Sequence, residues 1–205
     1  MTTVVVTRRI AASPATVCSF FTDCERWVLW QGVDAEIDAR PGGVVRVRMP
    51  GAQVASGQFI ELDPPRRLSF TWGWEGAESP VAPGSTTVVV ELEPDADGTM
   101  LRLTHSGIGA PPVAEHHRLG WERYLDRLRL RAEGGDPGPD PVPAYVGLSL
   151  RAYVAAIRAC RMTSAIAGRS SGPWLRYVQT GRNAASRTTS PPSCSVSPAG
   201  ACERR

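Results

Sequence analysis

Apolar and polar residues alternate with a period of two through much of residues 33–106. Val45 and Val47 alternate with Arg46 and Arg48, for example. Because successive side chains of a strand point to opposite faces, this alternation predicts strands with one buried and one exposed face. The pattern favours an antiparallel sheet that must be covered on one side.

Two helical regions flank these predicted strands. Ser13 as N-cap and Pro14 at the first helical position predict a short helix that follows a strand over residues 3–10. A second helical turn is predicted over residues 23–30. Residues 113–131 show an amphipathic pattern about 28 Å long at 1.5 Å per residue. The order of elements predicts an α+β protein with about six to seven strands and a long C-terminal helix.

The composition predicts a globular protein of the cytoplasm. Of the 205 residues, 42% are hydrophobic and 21% charged, and no apolar run approaches the roughly 18 residues of a membrane-spanning helix. The N-terminus does not resemble a secretory signal. Five cysteines without C-x-x-C spacing predict free thiols, and we expect neither a metal nor a cofactor.

A run of prolines and glycines at residues 133–141 predicts a boundary between a domain at 1–140 and an extension at 141–205. The first part has 14 Arg against 19 Asp and Glu, whereas the extension has 9 Arg against one Glu. Nucleic-acid binding by the domain is therefore not expected. Residues 144–166 could form a basic helix that contacts an anionic surface, and the rest predicts disorder. The alternative is a dispensable extension.

Several short phrases together resemble one known family. They are RRIAASP at 8–14, WVLWQG at 27–32, RPGG at 40–43, GQFIELDPPRRL at 57–68, FTW at 70–72, LRLTHSG at 101–107 and GWERYL at 120–125. This ensemble resembles the START-like (SRPBCC) superfamily, and within it the family related to the activator of the Hsp90 ATPase. The resemblance covers roughly residues 3–140. It implies a helix-grip fold, in which a curved sheet wraps a long C-terminal helix around an apolar cavity.

The resemblance also implies that a small hydrophobic ligand occupies this cavity, for which we expect a volume of several hundred cubic ångströms. Tryptophan suits such a site because it combines apolar area with an N–H group. A purely structural core is the alternative. Gly120 weakens its helix unless some group comes close to the backbone there. The predicted ligand-binding residues are Trp27, Trp30, Phe59, Phe70, Trp72, Trp74, His105, His117, Gly120, Trp121 and Tyr124.

Two histidines are the candidates for chemistry. His105 has the strand parity of Leu101 and Leu103, and His117 shares a helical stripe with Tyr124, whereas His116 is expected to point away. A buried histidine could act as an acid or base, although a structural histidine is the commoner outcome. No nucleophile elbow, phosphate loop or dinucleotide fingerprint is present.

The sequence thus favours a small-ligand-binding protein over an enzyme. The first alternative is a cyclase or dehydratase that uses His105 or His117. The second is an interaction module that assists a chaperone or regulator, which would show a filled core and an exposed apolar patch.

Overall fold

The computed structural model describes residues 1–76 and 79–141. The chain begins with strand β1 (Thr2–Ile10) and two helices, α1 (Pro14–Thr22) and α2 (Cys24–Trp27). The Ser13 side chain accepts from the backbone N–H of Thr16, and Asp23 caps α2 through the N–H of Arg26. Both caps satisfy helix N–H groups that have no partner within the helix. The predicted start of the first helix is therefore correct.

The central strands follow in sequence order. They are β2 (Asp34–Ile37), β3 (Val44–Arg48), β4 (Val54–Asp63), β5 (Arg67–Trp72), β6 (Thr86–Asp95) and β7 (Gly98–Ile108). All pairings are antiparallel, and the seven-stranded sheet has the order β1-β7-β6-β5-β4-β3-β2. The predicted α+β fold with a curved antiparallel sheet is confirmed. Each strand buries one set of alternate residues, as in the pattern of β3, where Val45 and Val47 are buried and Arg46 and Arg48 exposed.

The long helix α3 (Pro111–Ala132) lies against the buried face of the sheet. Its buried residues recur at helical spacing and include Trp121, Leu125 and Leu128. On the exposed side of α3, Asp126 forms an ion pair at 2.7 Å with Arg8 of the edge strand β1. The hydrophobic core therefore lies between α3, the two short helices and the sheet.

Charged residues on β2 and β3 form one ion pair across these two strands. Asp34 lies opposite Arg48 and pairs with it at 3.2 Å. Glu36 lies opposite Arg46, but the Arg46 guanidinium instead binds Glu75 at 2.8 Å. These side chains are about half exposed, so each pair contributes little to stability.

The proline- and glycine-rich segment after α3 is held against the domain by polar contacts, although it lacks an apolar anchor. The Arg127 guanidinium donates to the carbonyls of Trp30, Pro137 and Gly138. The side chain of Asp140 accepts from the backbone N–H of Gly32 at 3.1 Å.

The boundary after residue 140 remains a prediction. The helix predicted over 144–166 and the disorder predicted beyond it lie outside the described residues. Cys18 and Cys24 form no disulfide within the described residues, and Cys160, Cys194 and Cys202 also lie outside. Among the described residues, no helix has both the length and the apolar character to span a bilayer.

Candidate functional site

A small open cleft lies between the first half of α3 and the region where β3 and β5 end. Its volume is about 30 Å³, room for about two water molecules. This is smaller than the several hundred cubic ångströms expected from the sequence. The lining residues are Gln31, Met49, Gln53, Trp72, Trp74, His116, His117, Gly120, Trp121 and Tyr124.

Helical spacing explains why α3 contributes half of this wall. His117, Gly120, Trp121 and Tyr124 recur at intervals of three and four residues, so they lie on one face of the helix. The sheet contributes Trp72, whose ring lies 5.5 Å from that of Trp121 between centroids. The walls of the cleft are therefore mainly aromatic.

His105 lies fully buried on β7 with both ring nitrogens engaged. The indole N–H of Trp121 donates to Nδ1 at 3.0 Å. Because an indole nitrogen can only donate, Nδ1 is the unprotonated nitrogen and Nε2 carries the proton. Nε2 then donates to the Thr86 hydroxyl at 2.7 Å, and that hydroxyl donates to the carbonyl of Trp72 at 2.7 Å.

His117 has the opposite tautomer. Trp74 donates its indole N–H to Nε2 at 3.2 Å, which places the proton on Nδ1. Nδ1 donates to the carbonyl of Val113, one helical turn earlier, at 2.8 Å. The centroids of the His105 and His117 rings are 5.0 Å apart. Two imidazoles of fixed tautomer thus lie edge to face between β7 and α3.

Both imidazoles are neutral near pH 7. Burial, with a smaller contribution from His117, lowers the pKa of His105 to about 3. Burial also lowers the pKa of His117, partly offset by its hydrogen bond to Val113. Because a charge is costly in an apolar environment, these rings act through hydrogen bonds and not as cations.

His116 lines the cleft beside His117, so the prediction that it points away is wrong. The face of α3 that lines the cleft is wide enough to include the two consecutive residues His116 and His117. Burial lowers the pKa of His116 to about 4, with a further contribution from His117. This side chain is therefore also neutral near pH 7.

A buried carboxylate supports the outer side of the cleft. The Tyr124 hydroxyl donates to Asp140 at 3.0 Å, and the Asp140 side chain is only 1% exposed. Arg123 forms an ion pair with the same carboxylate. Asp140 therefore fixes the orientation of one aromatic wall residue from outside α3.

The eleven predicted residues divide into three groups. Six line the cleft, namely Trp72, Trp74, His117, Gly120, Trp121 and Tyr124, and His105 lies behind them. The other four are Trp27, Trp30, Phe59 and Phe70, which are at most 2% exposed and do not line it. Their rings pack on one another, for example Trp27 on Phe70 at 5.9 Å. These four residues lie in the hydrophobic core, as the alternative of a purely structural core expects.

Sequence patterns gave no sign of Gln31, Met49 and Gln53 as lining residues. Gln31 lies in the segment WVLWQG (residues 27–32). This segment supports the family resemblance but does not indicate a function for Gln31. Met49 ends the apolar alternation of β3, and Gln53 lies in the turn that follows. A backbone hydrogen bond of 2.7 Å from Met49 to Gln53 brings two of these positions together, and α3 completes the wall around the cleft.

The surroundings of Gly120 show that close packing does not require a glycine at this position. A Cβ atom placed there would meet no atom within 4 Å, so no close approach of the sheet requires a glycine. By contrast, a Cβ at Gly57 would lie 1.8 Å from the carbonyl oxygen of Thr71. The absence of a side chain at Gly120 instead leaves open space at the wall of the cleft.

Within the described residues, no three His, Cys, Asp or Glu side chains are grouped so that they could hold a metal ion.

Comparison with known families identifies the fold. The model of the activator of Hsp90 ATPase homolog 1-like proteins matches residues 11–133, which is more than half of the chain. The chain belongs to this family. It is thereby a member of the SRPBCC superfamily, as the sequence phrases predict.

Solved structures agree with this assignment. An AHSA1-like protein of Rhizobium etli is 42% identical, with a TM-score of 0.54 over 70% of this chain and 90% of that one. CalU16 of Micromonospora echinospora is 31% identical, with a TM-score of 0.55 over 69% and 71%. DynU16, a protein of the dynemicin biosynthetic locus, is 26% identical, with a TM-score of 0.58 over 66% and 48%. No functionally curated protein matches the sequence.

Proposed function

We propose that this protein binds a small, mostly apolar molecule in the cleft between α3 and the sheet. The observation that carries the proposal is an open cleft with aromatic walls, in which two of the three wall tryptophans are already hydrogen-bonded to histidines. The indole N–H groups of Trp74 and Trp121 are engaged by His117 and His105. Such walls offer ring faces and edges, which favour an apolar partner.

Gly120 supports the same proposal. A glycine inside a helix costs about 1 kcal/mol relative to alanine, and no neighbour in the described residues requires it sterically. Its position on the cleft wall makes room for a bound molecule beside the backbone of α3. A ligand would account for a glycine that packing leaves unexplained.

The volume of the cleft sets a condition on binding. A molecule larger than two waters must displace side chains, and the lining residues differ in their freedom to move. Gln53 is exposed and Trp74 is half-buried, whereas Trp72 and Trp121 are at most 3% exposed. We expect the ligand to enter past Gln53 and Trp74 while the inner wall stays in place.

The relatives add limited support. DynU16 belongs to a biosynthetic locus, which fits a protein that handles a small molecule. This chain spans about half the length of DynU16, so the likeness concerns one domain.

The two alternatives have weaker support. Each ring nitrogen of His105 and His117 has a partner, so neither histidine offers a free lone pair for general base catalysis. For an interaction module, exposed large apolar residues would need to form a patch. Three of the exposed large apolar residues, Val5, Ile60 and Leu130, lie on different elements, namely β1, β4 and α3.

Native mass spectrometry of the purified full-length protein, followed by titration of tryptophan fluorescence with fatty acids and aromatic ketones, tests the proposal. Trp72, Trp74 and Trp121 line the cleft, so binding should change the emission. Gly120→Leu should abolish the change by filling the cleft. Leu130→Ala, at an exposed position of the same helix, is the matched control and should bind normally. A folded wild-type protein that binds none of these molecules would contradict the proposal.

A further inference from the structure

Gln31 is a buried polar residue of the cleft wall that was not expected from the sequence. Its side chain lines the cleft, and the residue is 2% exposed. The Trp27 indole donates to its Oε1 at 3.1 Å. Since the indole nitrogen can only donate, the bonded atom must be the amide oxygen. The orientation of the Gln31 amide is therefore fixed, and its nitrogen is directed away from Trp27.

The amide nitrogen of Gln31 has no hydrogen-bond partner within the described residues. Within the part of the chain that the structure describes, the buried side-chain atoms that lack both a partner and solvent contact are Nε of Arg67 and Nε of Arg131. The Gln31 nitrogen is not among them, so it retains contact with open space, and the cleft supplies that space. Buried polar groups nearly always have partners, so an unpaired NH₂ group at a cleft wall points to an acceptor from outside the protein.

Three other donors of the cleft wall are engaged. Trp74 donates to His117, Trp121 donates to His105, and the Tyr124 hydroxyl donates to Asp140. The indole N–H of Trp72, which also lines the cleft, has no hydrogen bond within the described residues, so these networks leave two buried donors for a ligand, this indole and the amide of Gln31. The amide offers two N–H groups and the indole one.

Charge further limits the ligand. Among the described residues, the cleft lining includes no Asp, Glu, Lys or Arg. A charged group brought into the cleft would lose its hydration without meeting a counter-ion, which is strongly unfavourable.

Building on the proposed function, we infer that the ligand is an uncharged molecule whose carbonyl-type oxygen accepts a hydrogen bond from Nε2 of Gln31. Its apolar part lies against Trp72 and Trp121. Gln31 is thereby a specificity-determining residue, since a buried donor left unpaired disfavours ligands without an acceptor.

A matched pair of probes tests this inference with the full-length protein. Alpha-tetralone and tetralin share a bicyclic skeleton and differ in one carbonyl group, and tetralin carboxylate adds a charge. The dissociation constant of each is measured by tryptophan fluorescence at pH 7.5. One neutral hydrogen bond corresponds to roughly a twofold to tenfold change in affinity. We expect the wild type to prefer the ketone by that factor and to bind the carboxylate most weakly.

Two variants separate the donor from the fold. Gln31→Met removes both polar atoms at similar length, and Gln31→Glu keeps an acceptor for Trp27 while it removes the amide N–H groups. We expect the preference for the ketone to disappear in both. A shift of the Gln31 side-chain amide resonances in the NMR spectrum of the wild type, with the ketone and not with tetralin, tests the contact without any substitution.

The outcomes distinguish the two proposals. If the wild type binds ketone and hydrocarbon equally, or if the preference persists in a folded Gln31 variant, the inference about Gln31 is wrong and the cleft remains a general apolar site. If the wild type binds none of the probes, the proposed function and the inference both fail.

Discussion

The Trp121 indole N–H donates to Nδ1 of His105 across 3.0 Å, and this contact joins α3 to β7, the strand beside the edge strand β1. It fixes the tautomer of His105, whose other nitrogen then donates to Thr86 on β6. A single line of hydrogen bonds therefore runs from the helix through β7 to β6. Two residues of the inner wall, Trp72 and Trp121, are thereby connected through this line.

Removing the donor should destabilise the protein. Trp121→Phe leaves Nδ1 of His105 buried without a partner, and we expect a loss of about 1–3 kcal/mol in the free energy of unfolding. Trp74→Phe is the matched comparison, because Trp74 is half-buried and water can replace its bond to His117. Urea unfolding at pH 7.5 measures both. Equal losses in the two variants would contradict the role of the buried bond.

Stability should fall in mild acid because of His105. Its pKa is about 3 in the folded protein against an ordinary value of 6.5. The unfolded chain therefore takes up a proton below about pH 6.5 while the folded protein does not, so stability is complete above that pH and declines toward pH 3. The slope from this residue approaches about 1.4 kcal/mol per pH unit.

Urea unfolding at several pH values between 7.5 and 4 measures this slope. His105→Leu lowers the overall stability but removes the titrating group, so the slope should become shallower by the same amount. An unchanged slope in His105→Leu would show that other groups control the acid sensitivity.

Gly120→Ala should stabilise the protein and weaken binding in the cleft. The new methyl group meets no atom within 4 Å, so the helix gains about 1 kcal/mol without a clash. We expect the midpoint of thermal unfolding to rise by about 3 °C. The same methyl group occupies space beside the ligand, so the affinity for an aromatic ketone should fall.

Gly57→Ala provides the contrast for this prediction. Its methyl group would lie 1.8 Å from the carbonyl oxygen of Thr71, so the paired strands β4 and β5 must separate. We expect a loss of at least about 2 kcal/mol. If Gly120→Ala were destabilising as well, the space beside Gly120 would not be open in solution.

Asp140 should stabilise the fold although it lies in a segment of prolines and glycines. Asp140→Ala removes the acceptor of Gly32 and Tyr124 and leaves Arg123 without its carboxylate, at an expected cost of about 2–4 kcal/mol. Asp136→Ala, at a carboxylate that is 74% exposed, is the control and should cost at most about 1 kcal/mol. Thermal and urea unfolding compare the two. A neutral Asp140→Ala would mean that the segment does not hold to the domain.

Much of the fold is predictable from the sequence because its determinants are local. Alternation with a period of two identified the strands, the Ser13 cap and Pro14 marked the first helix, and strand parity placed His105 inside with Leu101 and Leu103. These signals depend on residues a few positions apart, so tertiary contacts are not needed to interpret them.

The candidate site depended on the tertiary structure. Periodicity tells which face of an element is buried, but not how deep in the core a residue lies or what it contacts. It therefore could not separate Trp27, which packs in the core, from Trp72, which lines the cleft. The partners of His105 come from two other elements, so its tautomer and lowered pKa arise only when α3 and β6 close around it. The sequence alone determined the sheet, the helices and their buried faces, whereas long-range packing decided which buried groups meet and which, such as Gln31, remain open to a ligand.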